Sequence, residues 1–391
     1  MRSMALPRSR AKAPAARAAV ALVFFMHGVL TGGWVPHIPL AKEALGVGTG
    51  AFGWILLAMA AGGVAAMPVA GALIGRIGSA PVVRVAGLVF CLAFPLPIYA
   101  AHPLTLALAL ALFGAALGTL DVAMNAHGLA VEGRLGRPVM SSFHGCYSVG
   151  AAVGSGLGGA VVGAFGPHAH VALTVAAALA MLGMASPRLL GRSVDRGASG
   201  AHFTWPTRAT VQLGALCFLA LFIEGAMLDW SGLHLKQTLG ASVELAGVGF
   251  AAFSTGMAAV RFAGDAFRRR FGSVSLILVS ALALTAGLGV AIALPSPPLA
   301  VAAFAVAGLG VGNIAPVLFA GGGRAEPDAP GRGIAAVTTM GYSGFLLGPP
   351  VIGMVAEWTG LQRALLLTVA AAAIIAASAR AARAADDGTG G

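Results

Sequence analysis

The sequence predicts an all-α integral membrane protein with 12 transmembrane helices, arranged as two parallel-repeat six-helix bundles. Of its 391 residues, 58% are hydrophobic and only 9% are charged, whereas a soluble domain carries about 25% charged residues. Runs such as 104–120 and 364–377 are continuously apolar rather than alternating with period two, which favours helices over a β-barrel. These observations exclude a cytosolic enzyme, a secreted disulfide module and a disordered chain.

Apolar stretches of about 20 residues, bounded by charges, glycines and prolines, mark the individual helices. The predicted spans cover residues 18–40, 50–75, 81–101, 104–131, 139–165, 168–186, 209–235, 243–267, 274–294, 299–322, 333–356 and 362–382.

The basic residues are placed as expected for a protein oriented in a bilayer. With a cytoplasmic N-terminus, the outer loops hold only Lys42, Lys236 and Arg363 of the 24 basic residues. Cytoplasmic loops are enriched in Lys and Arg, so both termini are predicted to be cytoplasmic, in a multi-pass protein of the bacterial inner membrane. The net charge of +11 is therefore interpreted as a feature that orients the protein in the membrane. We expect no nucleic-acid partner.

Polar segments divide the chain into five parts. A basic N-terminal segment, residues 1–17, resembles the start of a signal peptide, but no cleavage site is evident, so we expect a retained first helix. The predicted parts that follow are an N-terminal bundle (18–186), a cytoplasmic linker rich in Arg, Gly and Ser (187–208), a C-terminal bundle (209–383) and a cytoplasmic tail (384–391). Cys91, Cys146 and Cys217 are interpreted as small core residues.

The two predicted bundles repeat each other at an offset of 194 residues. The KxxLG block 42–46 falls on 236–240, and the RxGS block 76–79 falls on 270–273. Because six is even, the two halves have the same orientation in the membrane, which makes this a parallel repeat.

Several motifs resemble those of the major facilitator superfamily. The loop Gly71-Ala-Leu-Ile-Gly75-Arg76-Ile-Gly78 resembles its G-x-L-x-D-R-x-G motif, and GFLLGPPVIG at 344–353 resembles its G-x-x-x-G-P packing motif. The segments DVAMNAHG at 121–128, SSFHG at 141–145 and EGAMLDW at 224–230 resemble the bacterial MosC/YbjJ-like branch. The resemblance implies a secondary transporter for small polar solutes, such as sugar- or inositol-like compounds, or for exported drugs.

The resemblance also implies conformational roles for particular residues. Gly75 stands where the family usually has Asp, so the loop carboxylate that would clamp the cytoplasmic gate is missing. Arg261 and Asp265, four apart on span 8, are expected to form an intrahelical pair instead. The predicted gating set is Gly71, Arg76, Gly78, Arg261, Asp265, Gly344, Gly348 and Pro349.

Acidic residues deep inside predicted spans are the first candidates for a substrate or proton pathway. Asp121 and Glu224 lie about midway along spans 4 and 7, where an ionisable group costs about 2.5–3.5 kcal/mol and usually faces a cavity or a partner. Asn125 shares the helix face of Asp121. Asp229 lies nearer the outer surface, where gate or interface anchoring is the alternative role. For each acid, a hydrogen bond that only fixes packing remains the alternative.

Polar stripes on other spans complete the predicted pathway. His27, Thr31 and Trp34 follow i, i+4, i+7 spacing, which predicts one face of span 1. Further candidates are Ser141, His144 and Ser148 on span 5, Asn313 on span 10, and Thr338, Tyr342 and Ser343 on span 11. His127 is interpreted as a packing residue.

No cofactor or metal is expected. The glycine runs at 154–159 and 308–312 follow no strand, so a dinucleotide loop is excluded, and the chain has no ATP-binding loop. We therefore predict a secondary active transporter that works by alternating access, driven by the substrate's own gradient or by an ion gradient, with protons as the leading hypothesis. The expected partners are a small-molecule substrate, protons and lipid, and the expected state is a monomer. An integral-membrane enzyme and a non-transporting sensor remain the alternatives.

Overall fold

The computed structural model describes residues 13–191, 208–326 and 329–385. Within these ranges it gives no account of the side chains at 208–209, 264–269, 330 and 384. The predicted N-terminal segment, the linker and the tail therefore lie largely outside the described residues. The described part of the chain is helical, with short turns between helices.

Thirteen helices follow one another in the described residues. They are α1 (Ala13–Trp34), α2 (His37–Leu45), α3 (Thr49–Ile77), α4 (Ser79–Ala93), α5 (Pro95–Ile98), α6 (Pro103–Leu135), α7 (Met140–Ala185), α8 (Arg208–Leu233), α9 (Val243–Ala293), α10 (Pro297–Val311), α11 (Ile314–Ala325), α12 (Pro330–Thr359) and α13 (Leu361–Ala377). A π-helical turn, His234–Thr238, follows α8, and 3₁₀ turns span Ser186–Arg188 and Ala379–Ala385. Among the described residues, nine helical stretches are long and apolar enough to cross a membrane.

Predicted spans 1, 3 and 10 are interrupted helices, and span 3 is interrupted at Phe94, just before Pro95. Span 1 is interrupted between Trp34 and His37, and span 10 between Val311 and Ile314. Proline has no N–H and clashes with the carbonyl four residues earlier. Pro36 lies in the break of span 1, and Pro316 lies just after the break of span 10. A proline therefore accounts for each of these two interruptions.

Six glycines with positive φ angles form three pairs, each 194 residues apart. The pairs are Gly46 and Gly240 (φ 60° and 69°), Gly78 and Gly272 (82° and 78°), and Gly166 and Gly360 (81° and 83°). Glycine adopts such angles without the steric cost that a Cβ imposes. The same backbone turns therefore recur at the offset that relates the KxxLG and RxGS blocks.

We expect Gly78→Ala and Gly272→Ala each to lower stability by about 1–2 kcal/mol, because an L-residue is strained at positive φ. The matched control is Gly71→Ala, since Gly71 lies inside α3 and an added Cβ meets nothing within 4 Å. This control should be neutral or slightly stabilising. Thermal unfolding of the detergent-purified variants measures the difference. Equal losses in all three variants would contradict the assignment of strain.

The contacts between neighbouring helices recur at the same offset. A Cβ on Gly62 would overlap the carbonyl of Ala111, and one on Gly256 would overlap that of Ala305. A Cβ on Gly114 would overlap the Met59 carbonyl, and its counterpart Gly308 meets the Phe253 carbonyl in the same way. Small residues allow helix backbones to approach this closely in lipid.

The turns that connect the helices lie at two opposite ends of the molecule, which we call the latch end and the open end. The latch end carries the turns at Gly46 and Gly240, and the open end carries the turns at Gly78 and Gly272. Towards the latch end, α3 packs on α12 at Gly53 and Gly353. There α7 packs on α9, and Ser155 Oγ donates a 2.7 Å hydrogen bond to the Gly247 carbonyl.

Candidate functional site: a central cavity

A cavity of about 470 Å³ lies among the long helices. It extends towards the open end, because Met67, Met140 and Leu276 are among its lining residues and lie near the turns of that end. Its polar lining consists of His27, Thr31, Asp121, Ser141, His144, Tyr147, Glu224, Arg261, Asn313 and Tyr342. The rest of the wall is largely apolar and includes Met59, Met124, Phe319 and Phe345.

Asp121 on α6 is held by two neutral donors. Asn125 Nδ2 donates to Asp121 Oδ1 at 3.2 Å, and Tyr342 on α12 donates its hydroxyl to Oδ2 at 3.3 Å. Short hydrogen bonds to a carboxylate measure about 2.5–2.9 Å, so both contacts are long. These two partners carry no charge that would balance an ionised Asp121.

Glu224 has a charged partner that the sequence did not predict. Arg261 on α9 places Nη2 3.6 Å from Glu224 Oε1 on α8, and both side chains are largely buried, at 10% and 15% exposure. Neither Asp121 nor Glu224 has a basic residue within the core of its own predicted span. The guanidinium beside Glu224 comes from a different helix, so residue spacing along span 7 gives no sign of this partner.

Arg261 also joins α7 and α10 to this pair. Its Nη1 donates to Ser148 Oγ at 2.7 Å, and its Nε donates to the Gly312 carbonyl at 3.3 Å. The Gly312 carbonyl lies four residues before Pro316, which has no N–H to offer it. The proline in span 10 thus leaves an acceptor for the guanidinium.

The predicted pair between Arg261 and Asp265 stays a prediction. The side chain of Asp265 lies outside the described residues, whereas Arg261 lines the cavity. Arg261, predicted as a gating residue, therefore belongs to the cavity wall.

The histidine stripes of α1 and α7 reach the cavity as predicted. His27 Nε2 lies 3.3 Å from the Leu117 carbonyl, and the Thr31 hydroxyl donates to the His27 carbonyl at 2.9 Å. His144 packs edge-on against Phe24, with 5.3 Å between ring centroids. Asn313 lines the wall and donates to the Val260 carbonyl at 3.0 Å.

Six of the predicted pathway residues do not line the cavity: Trp34, Asn125, Ser148, Asp229, Thr338 and Ser343. Trp34 is 1% exposed and stacks on His37, two turns beyond His27. Asn125 contributes through its hydrogen bond to Asp121. Asp229 is buried at 3% exposure, and its Oδ1 has no hydrogen-bond partner among the described residues.

The predicted gating residues have diverse surroundings. A Cβ on Gly344 would overlap the Phe218 carbonyl, and the Pro349 carbonyl lies against Gly53. Gly348 has looser contacts, because an added Cβ would lie 3.4 Å from the Phe222 carbonyl oxygen. Gly78 needs its positive φ, and Arg76 is exposed at the open end, whereas Gly71 makes no close approach to another helix.

The sequence reasoning missed Tyr147 as a cavity residue. Tyr147 lies three residues after His144, so the stripe on span 5 already contained the signal. Its ring centroid is 5.4 Å from that of His27. His127, interpreted as a packing residue, is buried and accepts a 3.0 Å hydrogen bond from the Leu190 backbone N–H.

Comparisons with known proteins agree with this architecture. Residues 20–320 match the family described as Major Facilitator Superfamily. The chain belongs to this superfamily. It is 35% identical over 357 residues to an uncharacterised MFS-type transporter of Yersinia pestis, covering 90% of this chain and 93% of the relative. It is 33% identical to the membrane protein MosC of Rhizobium meliloti, covering 90% and 86%.

Solved structures share the major facilitator fold at low identity. The nucleoside transporter NupG aligns with a TM-score of 0.71 at 14% identity, covering 94% of this chain and 98% of that one. A bacterial homologue of the human lysosomal transporter Spinster, in an inward-facing and occupied conformation, aligns with a TM-score of 0.70 at 14% identity, covering 94% and 96%. The superfamily match and the relatives identify a multi-pass membrane transporter.

Proposed function

We propose that this major facilitator protein is a secondary active transporter, which moves a small solute across the bacterial inner membrane by alternating access coupled to protons. The fold would have 12 spans, for which three features supplement the nine described stretches. Met140–Arg188 is 49 residues long and contains the non-helical Gly166, so it is long enough to cross twice. The 30-residue α12 and the 17-residue α13 would each add one crossing.

We place the two halves at residues 18–186 and 209–383, joined by a cytoplasmic linker at 187–208. The glycine pairs 194 residues apart and the recurring contacts between neighbouring helices support a duplicated unit. Major facilitator proteins contain two such halves around an axis along the membrane normal.

We orient the open end towards the cytoplasm. Arg76, Arg134 and Arg137 lie close to its turns, and cytoplasmic loops are enriched in Arg and Lys. The latch end then faces outwards, with both termini inside. In this orientation the structure represents an inward-open state.

A latch between the two halves supports this assignment. We define the latch as Lys42, Glu43, Lys236 and Gln237. Lys236 Nζ lies 2.6 Å from Glu43 Oε2, and Lys42 Nζ donates to Gln237 Oε1 at 3.3 Å. Lys42 and Lys236 occupy equivalent positions in the two halves, and each bonds the residue that follows the other lysine. The repeat therefore relates the two bonds.

A third bond between the halves lies at the same end. Glu357 Oε2 on α12 accepts a 2.8 Å hydrogen bond from the Gly50 N–H in the first turn of α3. A carboxylate is favoured there because the first N–H groups of a helix lack intrahelical partners and carry partial positive charge. One combination of features carries the proposal. A polar cavity extends towards the open end, and bonds join the two halves at the latch end.

The deep carboxylates supply the proposed coupling. Burial disfavours the ionised form of a carboxyl group, and hydration favours it. Asp121 is the stronger candidate, because Arg261 already lies beside Glu224. A site that takes up a proton in one state and releases it in the other would couple transport to the pH gradient.

We expect Glu43→Gln combined with Glu357→Gln to populate an outward-open state, because it removes both charged bonds across the latch end. Spin labels at positions 47 and 241, in a variant without Cys91, Cys146 and Cys217, should report longer distances by double electron–electron resonance. Labels at 77 and 271 should report shorter distances at the open end. The exposed Glu244 provides the control, Glu244→Gln, which should change neither distance.

Opposite changes at the two ends are the signature of alternating access. Unchanged distances at both ends, or longer distances at both, would contradict the proposed mechanism. Counterflow of substrate in proteoliposomes then separates a transporter from the enzyme and sensor alternatives, since only a transporter moves substrate across the bilayer.

A further inference from the structure

We propose that the substrate of this carrier bears a protonated amine, which binds at Asp121 while an apolar or aromatic body contacts the methionine-rich wall. The inference rests on the proposed transport function and names the chemical class of its substrate. It follows from the balance of charge and of hydrogen-bonding groups in the cavity.

The described cavity wall has an excess of negative charge. Asp121, Glu224 and Arg261 are its Asp, Glu, Lys and Arg members. Arg261 is placed 3.6 Å from Glu224, so the pair is neutral overall and Asp121 remains with neutral partners. A buried charge is unfavourable unless it is paired. A ligand with a positive group would supply the partner that Asp121 lacks.

Several hydrogen-bond donors of the cavity wall are directed at protein acceptors. Arg261 donates to Ser148 and Gly312, and Asn313 donates to the Val260 carbonyl. Tyr342 donates to Asp121 itself. Each carboxylate oxygen of Asp121 accepts one side-chain hydrogen bond and can accept a further one. An ammonium group has three N–H donors and no acceptor, so it matches this remaining capacity.

His27 also belongs to the cavity wall. Its Nε2 lies 3.3 Å from the Leu117 carbonyl, and a carbonyl only accepts, so Nε2 carries the hydrogen. In the neutral ring Nδ1 is then an acceptor. This Nδ1 has no hydrogen-bond partner among the described residues, but it is buried and not exposed to the cavity, so the charge at Asp121 and not His27 carries the inference.

The remaining wall fits the body of an organic amine. Tyr147, Tyr342 and Phe345 provide aromatic faces, which attract cations when these approach the ring. Met59 and Met124 are flexible and polarizable, and such side chains adapt to irregular apolar shapes. The volume of about 470 Å³ lies within the usual range of small-molecule sites.

The test compares three probes of similar shape: 2-phenylethylamine, 2-phenylethanol and 3-phenylpropionate. Their binding to the purified full-length protein is measured at pH 7 by isothermal titration calorimetry. We expect the amine to bind at least about tenfold more tightly than the alcohol, since a charged hydrogen bond contributes about 1.5–3 kcal/mol. The carboxylate should bind most weakly.

Asp121→Asn should remove the preference for the amine over the alcohol, while the alcohol's affinity changes little. Glu244→Gln, at an exposed carboxylate outside the cavity, should keep the preference. A thermal unfolding midpoint close to wild type shows that Asp121→Asn has folded. If that variant does not fold, Asp121→Glu, which keeps the charge, replaces it and should retain the preference for the amine.

Equal affinities for amine and alcohol, tighter binding of the carboxylate, or no binding of any probe would overturn the proposal. Failure of the transport function gives a different result. Amine binding without counterflow would support the proposed ligand class but contradict the transport function. Counterflow of a neutral solute, without a preference for the amine, would support the transport function but contradict the ligand class.

Discussion

Asp121→Asn is expected to abolish uphill transport driven by a pH gradient. Asparagine is close in shape to a protonated aspartate, but it cannot take up or release a proton. Asp121 is hydrogen-bonded only by neutral groups, Asn125 and Tyr342, in the described structure. Its ionisation should therefore follow hydration of the cavity as the two ends open in turn. Accumulation in proteoliposomes with an imposed pH gradient measures the loss.

Exchange of saturating substrate without a pH gradient should persist in Asp121→Asn, because this step needs binding but no net proton movement. Glu224→Gln is the matched comparison, since Arg261 already accompanies Glu224. We expect this variant to keep the pH dependence, with weaker substrate binding. Lost coupling in Glu224→Gln alone would transfer the role to Glu224. Wild-type pH dependence in both variants would show that neither acid couples transport.

Much of the fold follows from local sequence features. Long apolar runs and the placement of arginines predict membrane helices, and the KxxLG and RxGS blocks predict the offset at which the positive-φ glycines recur. The helix breaks after Trp34 and Val311 lie beside Pro36 and Pro316, whose effect on a helix is local. These features depend only on residues that are close together in the sequence, so they can be predicted from the sequence alone.

The site was only partly predictable, because its partners come from different helices. Polar residues at helical spacing predicted His27, Thr31 and His144 on the cavity wall, as found. The same rule gave no information on which residues meet across helices. Spacing along the helix suggested Asp265 as a partner of Arg261, but it gave no sign of the contacts that Arg261 makes with Glu224 and Ser148 on other helices. The side on which the cavity opens likewise depends on bonds between distant residues, such as Lys236 and Glu43.

Gly114→Val and Gly308→Val are expected to prevent formation of a stable folded protein. Each glycine lies directly against the backbone of another helix, at Met59 and Phe253. The obstacle in both cases is a carbonyl group and not the flexible end of a side chain. Overpacking a close-packed interface costs about 1–3 kcal/mol when side chains can move aside. Here two helices must separate, so the loss should lie at or above the upper end of that range.

Gly183→Val and Gly289→Val are the matched controls. Both glycines lie inside helices, α7 and α9, and an added Cβ meets nothing within 4 Å at either one. The same substitution therefore changes helix propensity without forcing backbones apart. Monodisperse yield and thermal unfolding midpoints in detergent should be close to wild type for the controls and strongly reduced for Gly114→Val and Gly308→Val. Because Gly114 and Gly308 are related by the repeat, losses of similar size are expected in the two halves. A normal yield for either variant would show that its helix pair can separate at little cost, and the close backbone contact would then not be what holds that half together.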